Sequence, residues 1–299
     1  MSTPDQPTDA RARLLAHFKG DPSSHGQKWD DLYKENFLPW DKGFPNPALV
    51  DLLSERQDLL PKSTSKGQSG KRLKALVPGC GKGYDVLLLA AFGYDAYGLE
   101  ISSRALEAAR NTEKEMAGKG VYETQHGVEK GIITWLAGDF FKDEFLQDVG
   151  GGDGKFDLIY DYTVSLPPTC FSDSKTDRQF LSALPPSLRP AWSKRFVELL
   201  AVDGRVVCIE FPTYKPPSTG GPPWALPPKV YMGHLPRPGE ELSYSEDGDL
   251  QEQKLREPSK DGLKRIEHFQ PKRTHEIGYN AEGRVTDWVS VWVHAKPSP

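Results

Sequence analysis

The chain is poor in cysteine and histidine and has no long apolar run, and each shortage closes off a class of function. Cys80, Cys170 and Cys208 are odd in number and widely spaced, so neither a disulfide framework nor a zinc ligand set follows from them. The seven histidines are scattered, with no pair at helical ligand spacing. No apolar stretch approaches the roughly 20 residues of a membrane-crossing helix. Basic charge is not in excess either. With 38 Lys and Arg against 42 Asp and Glu the net charge is -4, so the footprint of a nucleic-acid binder is missing. The start of the chain has no signal-like apolar core, and Asp5 and Asp9 argue against a transit peptide. The expectation is a cytoplasmic, reducing setting and a monomer with no nucleic-acid or membrane partner.

What remains is enough to build a core: 37% hydrophobic residues, with seven Trp and eleven Tyr, spread over 299 positions. Residues 1–28 read as a tail with a short amphipathic helix between Asp9 and Lys19, where Ala10, Leu14, Leu15 and Phe18 recur at helical spacing. Residues 29–299 read as one domain, entered through an aromatic lid at 29–60 that includes a helix-like Pro47–Leu53, with Pro61–Lys71 a polar loop. Strand and helix patterns then alternate. Strands are expected at Leu73–Val77, Asp95–Leu99, Ile132–Leu136, Phe156–Tyr160, Arg205–Glu210 and Asp287–His294. Helices are expected at Tyr84–Ala91, at Ser103–Ala117 with Ser102 as cap, and from Ala191 to Leu200, ending at Asp203-Gly204. Pro236–Gly262, rich in charge, Pro and Gly, reads as a surface excursion. Short strands separated by helices imply an α/β fold of the Rossmann-like kind, a mainly parallel sheet with helices on both faces.

The most informative motif is Val77-Pro-Gly79-Cys-Gly81-Lys-Gly83-Tyr84, placed between a strand and a helix. A glycine turn there brings backbone close to a ligand at the carboxyl edge of the sheet. The spacing is G-x-G-x-G, and Tyr84 stands where a dinucleotide fold has its third glycine. Glu100 closes the second strand, where a carboxylate can accept both hydroxyls of a ribose, and Ile101 follows it. Gly138-Asp139-Phe140-Phe141 follows the third strand, where Asp139 can take an adenine amino group while an aromatic ring or a backbone amide, with Phe140 the candidate, flanks the base. Each piece alone has a plain alternative: a tight turn, a solvated acid, a helix-capping Asp. Together, in this order at successive strand ends, they fit S-adenosylmethionine, which has a ribose and an adenine but no pyrophosphate. A nicotinamide-dependent reductase is disfavoured by Tyr84 and by the lack of a Tyr-x3-Lys pair after the fourth strand.

These residues resemble the thiopurine S-methyltransferase superfamily, and most closely the thiol and halide methyltransferases of plants and fungi. Pro78-Gly79-Cys80-Gly81 resembles their first motif, and Trp29-x3-Tyr33-x6-Trp40-Asp41-x-Gly43 their N-terminal aromatic element, which closes over the cofactor. Phe156–Tyr162, Leu188-Arg189-Pro-Ala-Trp192 and Gly220-Gly-Pro-Pro-Trp224 are similar to three later segments. Two departures stand out: Tyr33 replaces a Trp, and a polar insertion, Ser172–Arg178, lies beside the expected substrate opening. The resemblance implies a class I methyltransferase with a seven-stranded sheet.

Methyl transfer from a sulfonium needs alignment more than covalent catalysis, and alignment can supply roughly 7–11 kcal/mol. Aromatic faces can add about 0.5–2 kcal/mol of cation–π stabilisation, and Trp29, Tyr33 and Trp40 are the candidates, against a reading as plain core aromatics. A thiol of pKa about 8.5 reaches its thiolate at neutral pH for about 2 kcal/mol, so no strong base is required. Arg189 is the cation that the resemblance places at the substrate opening, its alternative being a surface ion pair. Asp161 is a candidate for orienting the methionine end of the cofactor, and Tyr162 for touching cofactor or substrate. The acceptor expected is a small thiol. Halide or thiocyanate, or a small-molecule O- or N-acceptor, are the alternatives, as is a cofactor-binding protein without turnover.

Overall fold

Side chains that alternate along each strand sort into two apolar layers, one on either face of a seven-stranded sheet. The structure is a computed structural model, which describes residues 13–14, 16–18, 25–61, 72–124, 127–162, 180–220, 223–251 and 257–295. The strands are β1 (Lys74–Pro78), β2 (Asp95–Glu100), β3 (Ile133–Ala137), β4 (Phe156–Asp161), β5 (Leu200–Glu210), β6 (Leu263–Phe269) and β7 (Trp288–His294). They lie in the order β3-β2-β1-β4-β5-β7-β6. All pairings are parallel except those of β7, which runs antiparallel to both β5 and β6. The strand order reverses between β1 and β4, the switch point beside which ligands bind in open α/β sheets.

The expected strands are all present, shifted by a residue or so at their ends, and the expected class I fold is the one observed. One boundary was misread. Asp203-Gly204 is not a turn before the fifth strand but part of it, because β5 starts at Leu200. Its pairing with β4 jumps from Phe156–Leu200 to Leu158–Arg205, so residues 201–204 bulge out of the ladder. Strand β6 was not delimited in the sequence.

The helices are α1 (His25–Lys34), α2 (Pro47–Glu55), α3 (Tyr84–Ala91), α4 (Ser103–Met116), α5 (Phe180–Ala183), α6 (Arg189–Leu199) and α7 (Pro228–His234). Val77, Tyr160, Val207 and Val291 face one layer with α2 and α3, whose Leu49, Leu52 and Leu88 are buried there. Leu76, Ile159, Val206 and Trp292 face the other, against Trp192, Phe196 and Leu199 of α6 and Tyr231 of α7. Ser102 caps α4 as its sequence position predicts, its hydroxyl accepting from the Ala105 N–H at 3.1 Å.

A third, smaller cluster joins Leu14, Phe18, Leu32 and Trp40 to Phe211, which follows β5, and Ile277, between β6 and β7. It holds the N-terminal segment over the carboxyl edge of the sheet. The boundary expected at 28/29 falls inside α1, and Leu14 and Phe18 pack with Trp40 across it. The insertion at Ser172–Arg178, the loop from residue 62 to Lys71 and most of the expected first helix lie outside the described residues.

Candidate functional site

Three glycines make the β1–α3 turn, each with positive φ: +63° at Gly79, +53° at Gly81 and +78° at Gly83. Gly83 is required twice over. A β-carbon there would stand 2.2 Å from Trp135, which rises from β3 and also fills the space beside Gly98. The Trp135 indole N–H donates to Glu113 at 2.7 Å, so the turn rests on a ring that cannot yield. Cys80, within the turn, is pushed up in pKa by burial and by Glu100, and so stays a neutral thiol that does not compete for a methyl donor.

Glu100 ties this turn to the end of β2. One carboxylate oxygen accepts from the Gly81 N–H at 3.1 Å, the other from those of Ile101 and Ser102 at 2.9 and 3.2 Å. Burial pushes its pKa up and these bonds oppose the rise. A carboxylate offers about four acceptor sites, so room is left for a ribose hydroxyl, with a second admitted when an amide bond is exchanged. At the end of β3, Asp139 accepts from the Phe141 N–H at 3.0 Å.

Phe140 sits differently from the expectation that it flanks an adenine. Its ring is buried in the second layer against Phe196 at 5.6 Å, and its carbonyl accepts from Arg195. Ile101 is 48% exposed, its side chain lying over Gly26 of α1.

The aromatic lid is positioned by polar clamps that the sequence reading missed. Trp29 and Tyr33, four apart on α1, share a face. Trp29 meets Trp40 edge-on at 5.5 Å, and Tyr33 meets it at 6.0 Å. The Tyr33 hydroxyl hangs above Gly81, and burial together with Glu100 keeps it neutral. Beside them on α1, Asp30 accepts from the Ser102 hydroxyl at 2.7 Å and the Arg104 N–H at 3.2 Å and pairs with the Arg104 guanidinium. A carboxylate at the start of α4 also complements the helix dipole. Asp41 pairs with Lys82 of the glycine turn and faces the Tyr84 hydroxyl, whose pKa burial and that charge push up to about 12. The residue that replaces the third glycine therefore holds the lid. The next residue, Asp85, accepts from the Asn46 N–H at 2.9 Å.

Across the switch point the chemistry changes. Asp161 is buried at the end of β4, with its pKa pushed up to about 7 by desolvation. The Leu181 amide and Trp192 indole approach it, but neither meets its oxygens with hydrogen-bond geometry. Tyr162, also buried, stacks on His275 with ring centroids 5.8 Å apart and planes 16° from parallel. Nothing in the sequence around His275 singled it out.

Arg189 does not stand in a surface ion pair. It is 2% exposed, donates to the Ala225 carbonyl at 3.1 Å and the Tyr244 hydroxyl at 3.2 Å, and pairs with no carboxylate among the described residues. Tyr244 also bonds His234 at 2.8 Å, so the segment read as a surface excursion supplies a half-buried anchor. Among the described residues no cluster of potential metal ligands exists.

A glycine turn, an acid closing β2 and another after β3, on a 3-2-1-4-5-7-6 sheet, define a class I methyltransferase. A SAM-dependent methyltransferase of Anabaena variabilis shares the fold, with TM-score 0.51 and 15% identity over 92% of this chain and 96% of that one. Residues 24–173 match the thiopurine S-methyltransferase family. "Probable thiol methyltransferase 2" of Arabidopsis thaliana is 30% identical over 218 residues, 73% of this chain and 74% of that protein. "Thiocyanate methyltransferase 1" of Brassica oleracea is 30% identical over 203 residues, 68% of this chain and 69% of that protein. The thiopurine S-methyltransferase of Vibrio cholerae is 26% identical over 200 residues, 67% and 75% of the two chains.

The chain belongs to the thiopurine S-methyltransferase family and is an S-adenosylmethionine-dependent methyltransferase. Its residues fit that cofactor: the Gly79–Gly83 backbone admits close approach, and Glu100 and Asp139 stand at the ends of adjacent strands as acceptors.

Proposed function

We propose that this methyltransferase acts on a small thiol, taken as its thiolate. Bound at the glycine turn, S-adenosylmethionine supplies an electrophilic methyl on a sulfonium. Glu100 takes the ribose and Asp139 the adenine amino group, with Ile101 and Phe140 beside them through their backbone. Asp161 orients the methionine end. Trp29, Tyr33 and Trp40 form an aromatic wall toward the positive sulfur, within a lid at 29–60 that excludes water. Tyr162 touches the acceptor.

The observation that carries the acceptor class is the buried Arg189 cation, which has no carboxylate partner among the described residues. His234 and His275 are both held neutral, with pKa pushed down to about 3 by burial, and Asp161 and Asp287 sit near about 7. None of these deprotonates an alcohol, which near water's pKa of about 15.7 costs about 12 kcal/mol at neutral pH. A thiol costs about 2 kcal/mol. The buried Arg189 charge, without a carboxylate partner among the described residues, favours an anion at the opening. The printed names of the plant relatives support the same class, thiol or thiocyanate. The reading carries with it a cytoplasmic monomer, checked by light scattering on the purified chain and by cell fractionation.

The deciding experiment is product mass spectrometry with S-adenosylmethionine and a panel of thiols, thiocyanate, iodide and phenols. A methylated thioether is expected. Methylation of phenols alone sinks the thiol reading, and tight cofactor binding with no methylated product sinks turnover altogether.

A further inference from the structure

Resting on that acceptor class, we propose that His275 is the hydrogen-bond donor to the acceptor's soft anion, in a pocket that it shares with Tyr162, Phe44 and Lys42. His275 is completely buried, yet neither ring nitrogen has a hydrogen-bond partner among the described residues. Buried polar groups left this way are rare and call for an explanation. Its neighbours place the pocket. Tyr162 stacks on one side, at the end of β4 beside Asp161. Phe44 packs at 4.8 Å, itself 47% exposed, so the pocket lies one ring's depth from solvent. Lys42 lies near enough for its charge to act on the imidazole. The four residues come from three segments that meet at the carboxyl edge: Lys42 and Phe44 from the lid after Trp40, Tyr162 from the end of β4 and His275 from the β6–β7 connection.

The chemistry follows from charge and from the neutral ring. Burial, and secondarily the Lys42 charge, hold the imidazole neutral, with a pKa of about 3. A neutral imidazole always carries one N–H. Next to a positive side chain that N–H suits an anion rather than a cation, and an aromatic floor suits a large, weakly hydrated one. Thiolate, thiocyanate and iodide share that description. The ring is too weak a base to take the proton of a thiol, so that proton passes to water when the thiol ionises. His275 then contacts a sulfur that is already anionic.

The test compares wild type with His275→Phe, which keeps the stack on Tyr162 and removes both nitrogens, and with His275→Gln, which restores an N–H. At saturating S-adenosylmethionine, KM for thiocyanate and for a small thiol is expected to rise about tenfold or more in His275→Phe. His275→Gln is expected to recover part of that loss, while the cofactor Kd by calorimetry stays within about twofold of wild type in both. Unchanged KM in the folded Phe variant overturns the assignment. So does a loss confined to the thiol with thiocyanate spared, since that pattern makes His275 a proton acceptor. Should the Phe variant fail to fold, Lys42→Met is expected to raise KM for thiocyanate in the same direction, and no change there overturns the pocket. If wild type methylates no soft nucleophile, the acceptor reading has failed by itself. The His275 assignment is then judged by calorimetric titration of thiocyanate into wild type and His275→Phe with S-adenosylhomocysteine bound, and equal heats overturn it.

Discussion

On the cofactor side of the switch point, acids are engaged by peptide N–H groups close in space and mostly close in sequence. Glu100 holds three, Asp139 one and Asp85 one. On the side proposed for the acceptor, Asp161, one oxygen each of Glu210 and Asp287, the Trp224 indole and both nitrogens of His275 are buried without hydrogen-bond partners among the described residues. The acids of the first half are engaged by backbone, with Asn46 Nδ2 beside Asp85 the exception among its polar groups, whereas the second half leaves carboxylate oxygens and ring nitrogens unengaged. Fixed dipoles for a bound molecule are what electrostatic preorganisation requires, and the unengaged groups are available to the methionine end of the cofactor, through Asp161, as well as to an acceptor.

The largest expected effect lies in the first half. Gly83→Ala adds a strained φ to a clash with Trp135 and should cost about 2–5 kcal/mol in urea unfolding. Gly152→Ala is the control, having φ +74° with nothing within 4 Å, and should cost only the backbone part, about 1–2 kcal/mol. Equal losses would mean that Trp135 yields and the turn is not rigid.

Next comes Glu100→Gln, expected to weaken cofactor binding by about 1.5–3 kcal/mol, or about 10- to 100-fold in calorimetry. KM for the acceptor at saturating cofactor should not move. A parallel change in both would show that the halves are not separable.

Third is a pH signature that draws on both halves. Desolvation raises the folded-state pKa of Asp161, and of Asp85 and Asp287, to about 7. The folded protein therefore holds more protons than the unfolded chain between their ordinary values near 4 and about 7, and stability falls as pH rises through that window and levels above it. If Asp161 holds the cofactor's amino group, cofactor affinity rises as pH climbs through about 7, by about tenfold. Asp161→Asn should flatten both slopes, leaving the share of Asp85 and Asp287 in the melting profile. An unaltered cofactor profile in that variant removes Asp161 from the site.

Smaller still is Arg189→Ala, expected to lower kcat/KM for anionic acceptors by about fivefold, or about 1 kcal/mol, while sparing cofactor affinity. Unchanged kinetics would leave Arg189 as the anchor of Tyr244 and Ala225 alone. Least of all is Ile101→Ala, half-exposed, where stability should stay within about 0.5 kcal/mol.

The two halves also differ in how far they could be read in advance. The glycine turn, Glu100, Asp139 and the Ser102 cap are each set by a few consecutive residues, and each stands where its pattern predicts. The lid aromatics were legible as a spaced motif, but the clamps that seat them were not. Asp30 reaches Ser102 across 72 residues and Asp85 reaches Asn46 across 39. The Phe140 ring turns into the core, and two adjacent phenylalanines do not say in advance which one does so. Arg189 was read as a cation at the substrate opening, with a surface ion pair as the alternative; its burial was not legible because its partner Tyr244 lies 55 residues away in a segment with the composition of a loop.

The sequence by itself determined the class of cofactor and the strand–turn–helix that receives it, because positive-φ glycines and a strand-closing acid act through their own backbone. Only the tertiary structure decided what surrounds the acceptor. Burying His275 against Tyr162 and Phe44, and Arg189 under Ala225, strips water from groups that distant elements bring together. Desolvation depends on the packed whole, and no local pattern of residues records it.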